Sequence, residues 1–216
     1  MTGSFLYPFL DAEERDAAPL LADLAASADA KAAVSSRLRV ETLERQARTL
    51  DAAADALADV FTRGGRLLVA GNGGSSTDAA GIASLFAAPP YGGPLPARSL
   101  VTDPAVLTAL SNDVGFDVVF ARQVLAFGKA GDALLGVSTS GGSANVLRAF
   151  AAARGAGLLT LGLAGYGGGA MAASGDVDHC LVVSSDSVHR TQETQAALAV
   201  ALWRRVQDRL AKAVAT

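Results

Sequence analysis

Cysteine is nearly missing from this sequence: among 216 residues there is one, Cys180. A single cysteine excludes an internal disulfide and any cysteine-based metal cluster. Its apolar neighbours, CLVV over 180–183, predict a buried strand thiol. Charge is also sparse. Charged residues make up 18% of the chain, the net charge is −3, and there is no basic block, which disfavours non-specific nucleic-acid binding. No apolar run reaches the roughly 18 residues of a membrane span. The N-terminus lacks the basic-then-apolar pattern of a signal peptide, so the expected location is the cytoplasm, with no membrane partner.

What is abundant is alanine and apolar side chains, with 50% of residues hydrophobic. That length and composition suit one soluble α/β domain with a large core and closely packed helices. Two stretches organise it. RLLVAGNGGSSTD (66–78) and LLGVSTSGGSAN (134–145) each open as a short apolar run, break into Gly, Ser, Thr and Asn, and lead into an Ala-rich helical pattern. This is strand, polar Gly-rich loop and helix N-terminus, twice. A helix N-terminus carries unpaired N–H groups and a partial positive charge, and so attracts anions. The second loop has hydroxyls at Ser138, Thr139, Ser140 and Ser143 and no lysine, so it is not a Walker-type nucleotide loop. It reads as a cradle for a phosphate monoester.

In chain order, the aromatic arm at 1–11 (Phe5, Leu6, Tyr7, Phe9, Leu10) either covers the protein's own core or docks on a neighbouring subunit. Helical spacing of apolar residues predicts helices at 12–29 and 31–63, the second ended by Gly64-Gly65. So long a helix before the first strand has more apolar face than one small sheet needs, which predicts a homo-oligomer. Strands are expected near 66–70, 98–101, 133–137, 158–163 and 179–183. Helices are expected near 75–87, from Pro104 to the break at Ser111-Asn112-Asp113, and near 117–127, 143–154, 169–173 and 188–212. Thr102 or Asp103 is placed to cap the helix that Pro104 opens. Alternation of strands and helices implies a parallel sheet with right-handed crossovers, a three-layer αβα sandwich of flavodoxin-like type. Its ligands sit at the carboxyl ends of the strands. Residues 1–65 are expected to be an oligomerising arm and helices, and 66–216 the ligand-binding domain, together one structural unit.

GNGGSSTDA (71–79), SNDVGFDVVFARQ (111–123), STSGGSANV (138–146) and RTQE (190–193) resemble the sugar isomerase (SIS) domain of phosphoheptose isomerases, over about residues 35–210. The resemblance implies a sugar phosphate ligand, a heptose phosphate first, and a homotetramer with active sites between subunits. It assigns phosphate binding to Ser138, Thr139, Ser140 and Ser143. Asn72, Gly73, Gly74 and Ser75 would line the sugar, and Asp103 and Gln192 stand at positions that contact substrate. The catalytic positions depart from the family pattern. Gly81 stands at a family His, Ser84 at the Glu and Val200 at the second His. In the family, these three and the Gln can hold a zinc ion. With three of the four polar ligands replaced, no metal and no cofactor are expected.

Aldose–ketose isomerisation needs a base near the carbon and an acid near the oxygens, and neither Ser84 nor Val200 can serve. Three side chains could substitute. His189 precedes RTQE and could act as acid or base, cap the last helix or hold a phosphate as a cation. Glu193 could serve in catalysis or face its own helix surface, and Asp78 could contact ligand or simply complement a helix dipole. His179 is read as a surface or edge-strand residue. Arg190 could close on a phosphate or pair with Asp186 or Glu193. Trp203 and Phe127 read as core or interface aromatics. The sequence reads as a phosphosugar-binding SIS-domain protein that resembles sedoheptulose 7-phosphate isomerase, with aldose–ketose isomerisation open but the catalytic pair altered. Its alternatives are a non-catalytic sensor and an interaction protein, like SIS proteins that associate with a replication initiator.

Overall fold

The computed structural model describes residues 17–215, so the aromatic arm lies outside the described residues. The chain forms two compact units, Met1–Arg37 and Leu38–Thr216. In the first, the described part is the opening of helix α1 (Ala18–Arg45), where Leu20, Leu21 and Leu24 are exposed.

The second unit carries the sheet. In order it contains the end of α1, α2 (Ala47–Thr62), β1 (Leu67–Gly71), α3 (Gly74–Ala87), β2 (Ala97–Ser99) and α4 (Pro104–Asp113). A 3-10 turn at Phe116–Val118 leads to α5 (Val119–Phe127), β3 (Ala133–Ser138), α6 (Ala144–Gly155) and β4 (Leu159–Ala164). The short α7 (Gly169–Ala173), β5 (His179–Val182) and α8 (Val188–Ala215) close it. The helices expected at 12–29 and 31–63 are divided differently. Nothing interrupts the chain near Ala30, where alanines and a lysine all favour helix. The break falls at Gln46, whose φ of −91° and ψ of 4° leave the helical range.

All five strands are parallel, in the order β2-β1-β3-β4-β5. This is the flavodoxin-like order, in which the chain reverses direction between β1 and β3. Alternate residues of each strand feed opposite cores. Leu67, Val69, Ala133, Leu135 and Val137 join α2, α3 and α8 on one face. Leu68, Ala70 and Leu134 join α5, α6 and α7 on the other. Because both faces are covered, the central strands read as unbroken apolar runs. Each fully buried leucine contributes about 1.5–3 kcal/mol.

Two acids, Asp132 buried and Asp178 at the surface, lock the amino ends of the strands, at the opposite end from the polar loops. Asp132 accepts from the backbone N–H of Arg66 (3.0 Å) and of Lys129 (3.0 Å), and from Arg66 Nε (3.1 Å). Asp178 accepts from the N–H (2.9 Å) and hydroxyl (2.8 Å) of Thr160 and from Arg154. Cys180 lies half-buried in β5, and burial pushes its thiol up to about 11, so it stays protonated at neutral pH. Trp203 is buried, with Tyr91 against it at 4.7 Å between ring centroids, and Arg98 lies over the Phe127 ring at 3.9 Å.

Candidate functional site

The two Gly/Ser loops leave the carboxyl ends of β1 and β3, neighbours in the sheet, and so flank the point where the topology reverses. They are stitched together by a reciprocal amide pair. Asn72 Nδ2 donates to Asn145 Oδ1 at 2.7 Å, and Asn145 Nδ2 donates back to Asn72 Oδ1 at 2.9 Å. Asn145, which is buried, opens α6 and so ties the first loop to the helix that follows the second.

Within the second loop the hydroxyls converge. Ser138 Oγ lies 2.9 Å from Ser143 Oγ and 3.4 Å from Ser140 Oγ, and it accepts from the Gly141 N–H at 3.1 Å. Ser140 Oγ accepts from the Gly142 N–H at 3.1 Å. Ser143 is the N-cap residue of α6, yet its side chain makes no cap hydrogen bond; Gly73, the N-cap of α3, has no side chain to offer. Both helices thus start without side-chain caps, and their first N–H groups face a polar loop, an arrangement suited to an anion. Gly141 must be glycine: its φ is +64°, and a Cβ would collide with the Gly168 carbonyl.

Gln192 reaches this region from α8. Its Nε2 donates to Asp78 Oδ2 at 3.0 Å, and it packs so close to Gly74 that a Cβ there would lie 2.5 Å from that nitrogen. Three residues on, Gln195 does what the sequence did not reveal. Buried, it donates to the carbonyls of Leu163 (3.1 Å) and Ser138 (3.4 Å), fastening the carboxyl ends of β3 and β4 under the second loop. Its Oε1 and the hydroxyls of Thr191 and Thr194 are buried without partners, so that turn of α8 has polar capacity to spare.

Ser75 is buried at the start of α3. Asp103 is exposed and caps α4, accepting from Ala105 N–H (3.0 Å) and Val106 N–H (3.1 Å). His189 is exposed in the first turn of α8. Glu193 lines an open groove of about 720 Å³ with Arg39, Leu43 and Arg204, on a different side of α8 from Gln192. A smaller cavity of about 190 Å³ lies between α3 and α8, lined by Thr77, Asp78, Gly81, Ile82, Leu85 and Val200, with Ala196 and Ala199 beneath. Gly81 and Val200 meet here. Ser84 does not join them; it is exposed on another face of α3, and Leu85, one turn after Gly81, lines the cavity.

Residues 32–165 match the model of the SIS domain family. The phosphoheptose isomerase of Roseiflexus sp. strain RS-1 is 46% identical over 162 residues, which is 73% of this chain and 80% of that protein. The chain belongs to the SIS domain family. A second phosphoheptose isomerase, from Solidesulfovibrio magneticus, is 43% identical over 78% of this chain and 82% of its own length. Among solved structures, the phosphoheptose isomerase of Neisseria gonorrhoeae superposes with a TM-score of 0.79 at 35% identity, covering 86% of this chain and 99% of that one. That of Francisella tularensis gives 0.79 at 31% identity over 84% and 97%.

The zinc ion that accompanies the family resemblance does not fit this SIS domain. Asp78 is already engaged by Gln192, and Gly81, Leu85 and Val200 offer no donor atom. Among the described residues no group of three His, Cys, Asp or Glu side chains could hold a metal ion.

Proposed function

We propose that this SIS-domain protein holds a sugar phosphate at the β1–β3 switch point, with the phosphate in the Ser138–Ser143 loop, and does not isomerise it at ordinary enzyme rates. The observation that carries the reading is the convergence of Ser138, Ser140 and Ser143 at the uncapped start of α6, joined to Asn72 through Asn145. Thr139, Gly73, Gly74, Ser75 and Gln192 complete the ligand set, and heptose 7-phosphates are the first ligands to test. Isomerisation requires an acid and a base at one carbon–oxygen pair. Asp78 is the one ionisable side chain lining the α3–α8 cavity. Each missing acid–base group costs on the order of 10²–10⁴ in rate. The protein acts as a homo-oligomer, a tetramer by resemblance, in the cytoplasm.

A thermal-shift screen against sugar phosphates tests the binding. A ligand at a hundredfold excess over its Kd stabilises the folded state by about 2.7 kcal/mol. The double variant Thr139→Ala/Ser140→Ala is expected to lose that shift. An unchanged shift removes the phosphate from this loop. Rapid conversion of sedoheptulose 7-phosphate by the pure protein would overturn the non-catalytic part of the reading.

A further inference from the structure

The first two turns of α8 bury more polar atoms than the fold satisfies. Thr191 and Thr194 are fully buried, and Gln195 is 1% exposed. Among the described residues, neither threonine hydroxyl nor Gln195 Oε1 has a hydrogen-bond partner. The threonines therefore do not use the common bond from a helical hydroxyl back to the carbonyl four residues earlier. Positions 191, 194 and 195 stand at i, i+3 and i+4, so Thr194 and Gln195 both neighbour Thr191, their Cβ atoms about 5–6 Å from its own. This part of α8 abuts the second loop. Gln195 Nε2 donates to the Ser138 carbonyl, and so does the Gly165 N–H at 3.3 Å. A Cβ added at Gly165 would strike both Thr191 Cγ2 and the Thr139 carbonyl oxygen, so α8, the turn after β4 and the second loop lie against one another.

Three buried oxygens without partners are costly, so something must answer them. A sugar ligand cannot, because none of the three residues is more than 1% exposed. A calcium or magnesium ion takes at least about six oxygens, carboxylates among them, and these are three neutral ones. An internal water makes about three hydrogen bonds, to buried polar groups that otherwise have none. Number and type both match. Gln195 Oε1 accepts, and each threonine hydroxyl donates or accepts. One water can donate to Gln195 Oε1 and to one threonine while accepting from the other.

We infer that an internal water bridges Thr191, Thr194 and Gln195, and that through Gln195 it fixes the Ser138 carbonyl from which the second loop springs. With Oε1 held by the water, the Gln195 amide keeps Nε2 on the Ser138 and Leu163 carbonyls. Without the water the amide is free to turn, and the loop spends less time in its ligand-competent form, which weakens binding by that fraction. Thr191, Thr194 and Gln195 are thus positioning residues that do not touch the ligand. The bridge stands on the buried atoms alone; the effect on affinity rests on the sugar phosphate reading above.

Oxygen-17 relaxation dispersion of the full chain counts long-lived internal waters and tests the bridge directly. The double variant Thr191→Val/Thr194→Val keeps the side-chain shapes and removes both hydroxyls. It is expected to hold one water fewer than the parent and to unfold at a lower urea concentration, because Gln195 Oε1 is stranded. Isothermal titration with sedoheptulose 7-phosphate and inorganic phosphate is expected to show dissociation constants raised about 2–10-fold, the worth of one hydrogen bond. Thr191→Ser, which keeps the hydroxyl, should retain both the water and the affinity. Thr194→Val alone leaves Thr191 against Gly165 and keeps the test open should the double variant fold poorly.

Several results overturn the inference. An equal water count in the parent and the valine variants does so. A raised urea midpoint in the double variant does the same, since it is the sign of hydroxyls buried dry. A lost water with unchanged dissociation constants overturns it as well, because Gln195 would then not position the loop. So does a Thr191→Ser variant that binds as weakly as the valine one, which would assign the effect to the methyl group. A parent that binds neither compound defeats the sugar phosphate reading and the positioning role together, and the water count still decides the bridge.

Discussion

Asn72 and Asn145 carry more of the site than their size suggests. Each amide donates to and accepts from the other, and Asn145 is 3% exposed. Replacing Asn72 with alanine strands the buried Asn145 amide, which costs about 1–3 kcal/mol. Urea denaturation is expected to show that loss for Asn72→Ala. The double variant with Asn145→Ala should fall short of the sum of the singles by about 0.5–3 kcal/mol, as partners in one network do. Additive losses would mean that the two loops are not coupled. At this scale the sequence was partly legible. Asn72 and the serines announce themselves, because Gly-flanked polar residues between a strand and a helix have few structural uses. Gln195 does not. Its partners are backbone carbonyls of two strands, and a carbonyl leaves no trace in side-chain pattern. Ser84 and Leu85 show a related limit. Adjacent helix positions point about 100° apart, so motif counting put the polar residue where the cavity has a leucine.

Elements are held by their ends, and at the amino end of β4 the fastening is titratable. Burial pushes the Asp178 carboxyl up, but the Thr160 N–H, the Thr160 hydroxyl and the Arg154 guanidinium outweigh it and hold the pKa below the ordinary 3.8. A carboxylate whose folded pKa is depressed stabilises the fold above its unfolded value, and that stabilisation is lost as pH falls through the folded one. The contribution is therefore complete at neutral pH and drains away below 3.8. Urea midpoints at neutral pH and at about pH 3 should differ less in Asp178→Asn than in the parent, with the variant weaker at neutral pH. An unchanged difference would mean that Asp178 does not contribute to the acid sensitivity. Strand existence was legible because an all-parallel sheet writes its central strands as continuous apolar runs. The break at Gln46 was not, because no glycine or proline marks it.

Across the whole molecule, the doubly wound order followed from alternating strands and helices, whereas the N-terminal helix resisted the sequence. Its pattern mixes alanine with scattered leucines, and no core of its own is spelled out. In the first unit Leu20, Leu21 and Leu24 are 46%, 62% and 57% exposed. They recur at i, i+1 and i+4, one stripe of the helix. Three leucines in a row on a helix face cost solubility in a monomer and gain about 1.5–3 kcal/mol each when another surface covers them. The occupant we expect is a second copy of the chain. Light scattering at micromolar concentration should then give a mass that is a multiple of 21.7 kDa. The pair Leu21→Glu/Leu24→Glu, which leaves the sheet untouched, should raise the dissociation constant at least about tenfold, since covering either leucine is worth more than the 1.4 kcal/mol that a tenfold change requires. A parent protein that scatters as a single 21.7 kDa chain would overturn the assignment and leave the leucine stripe without a partner.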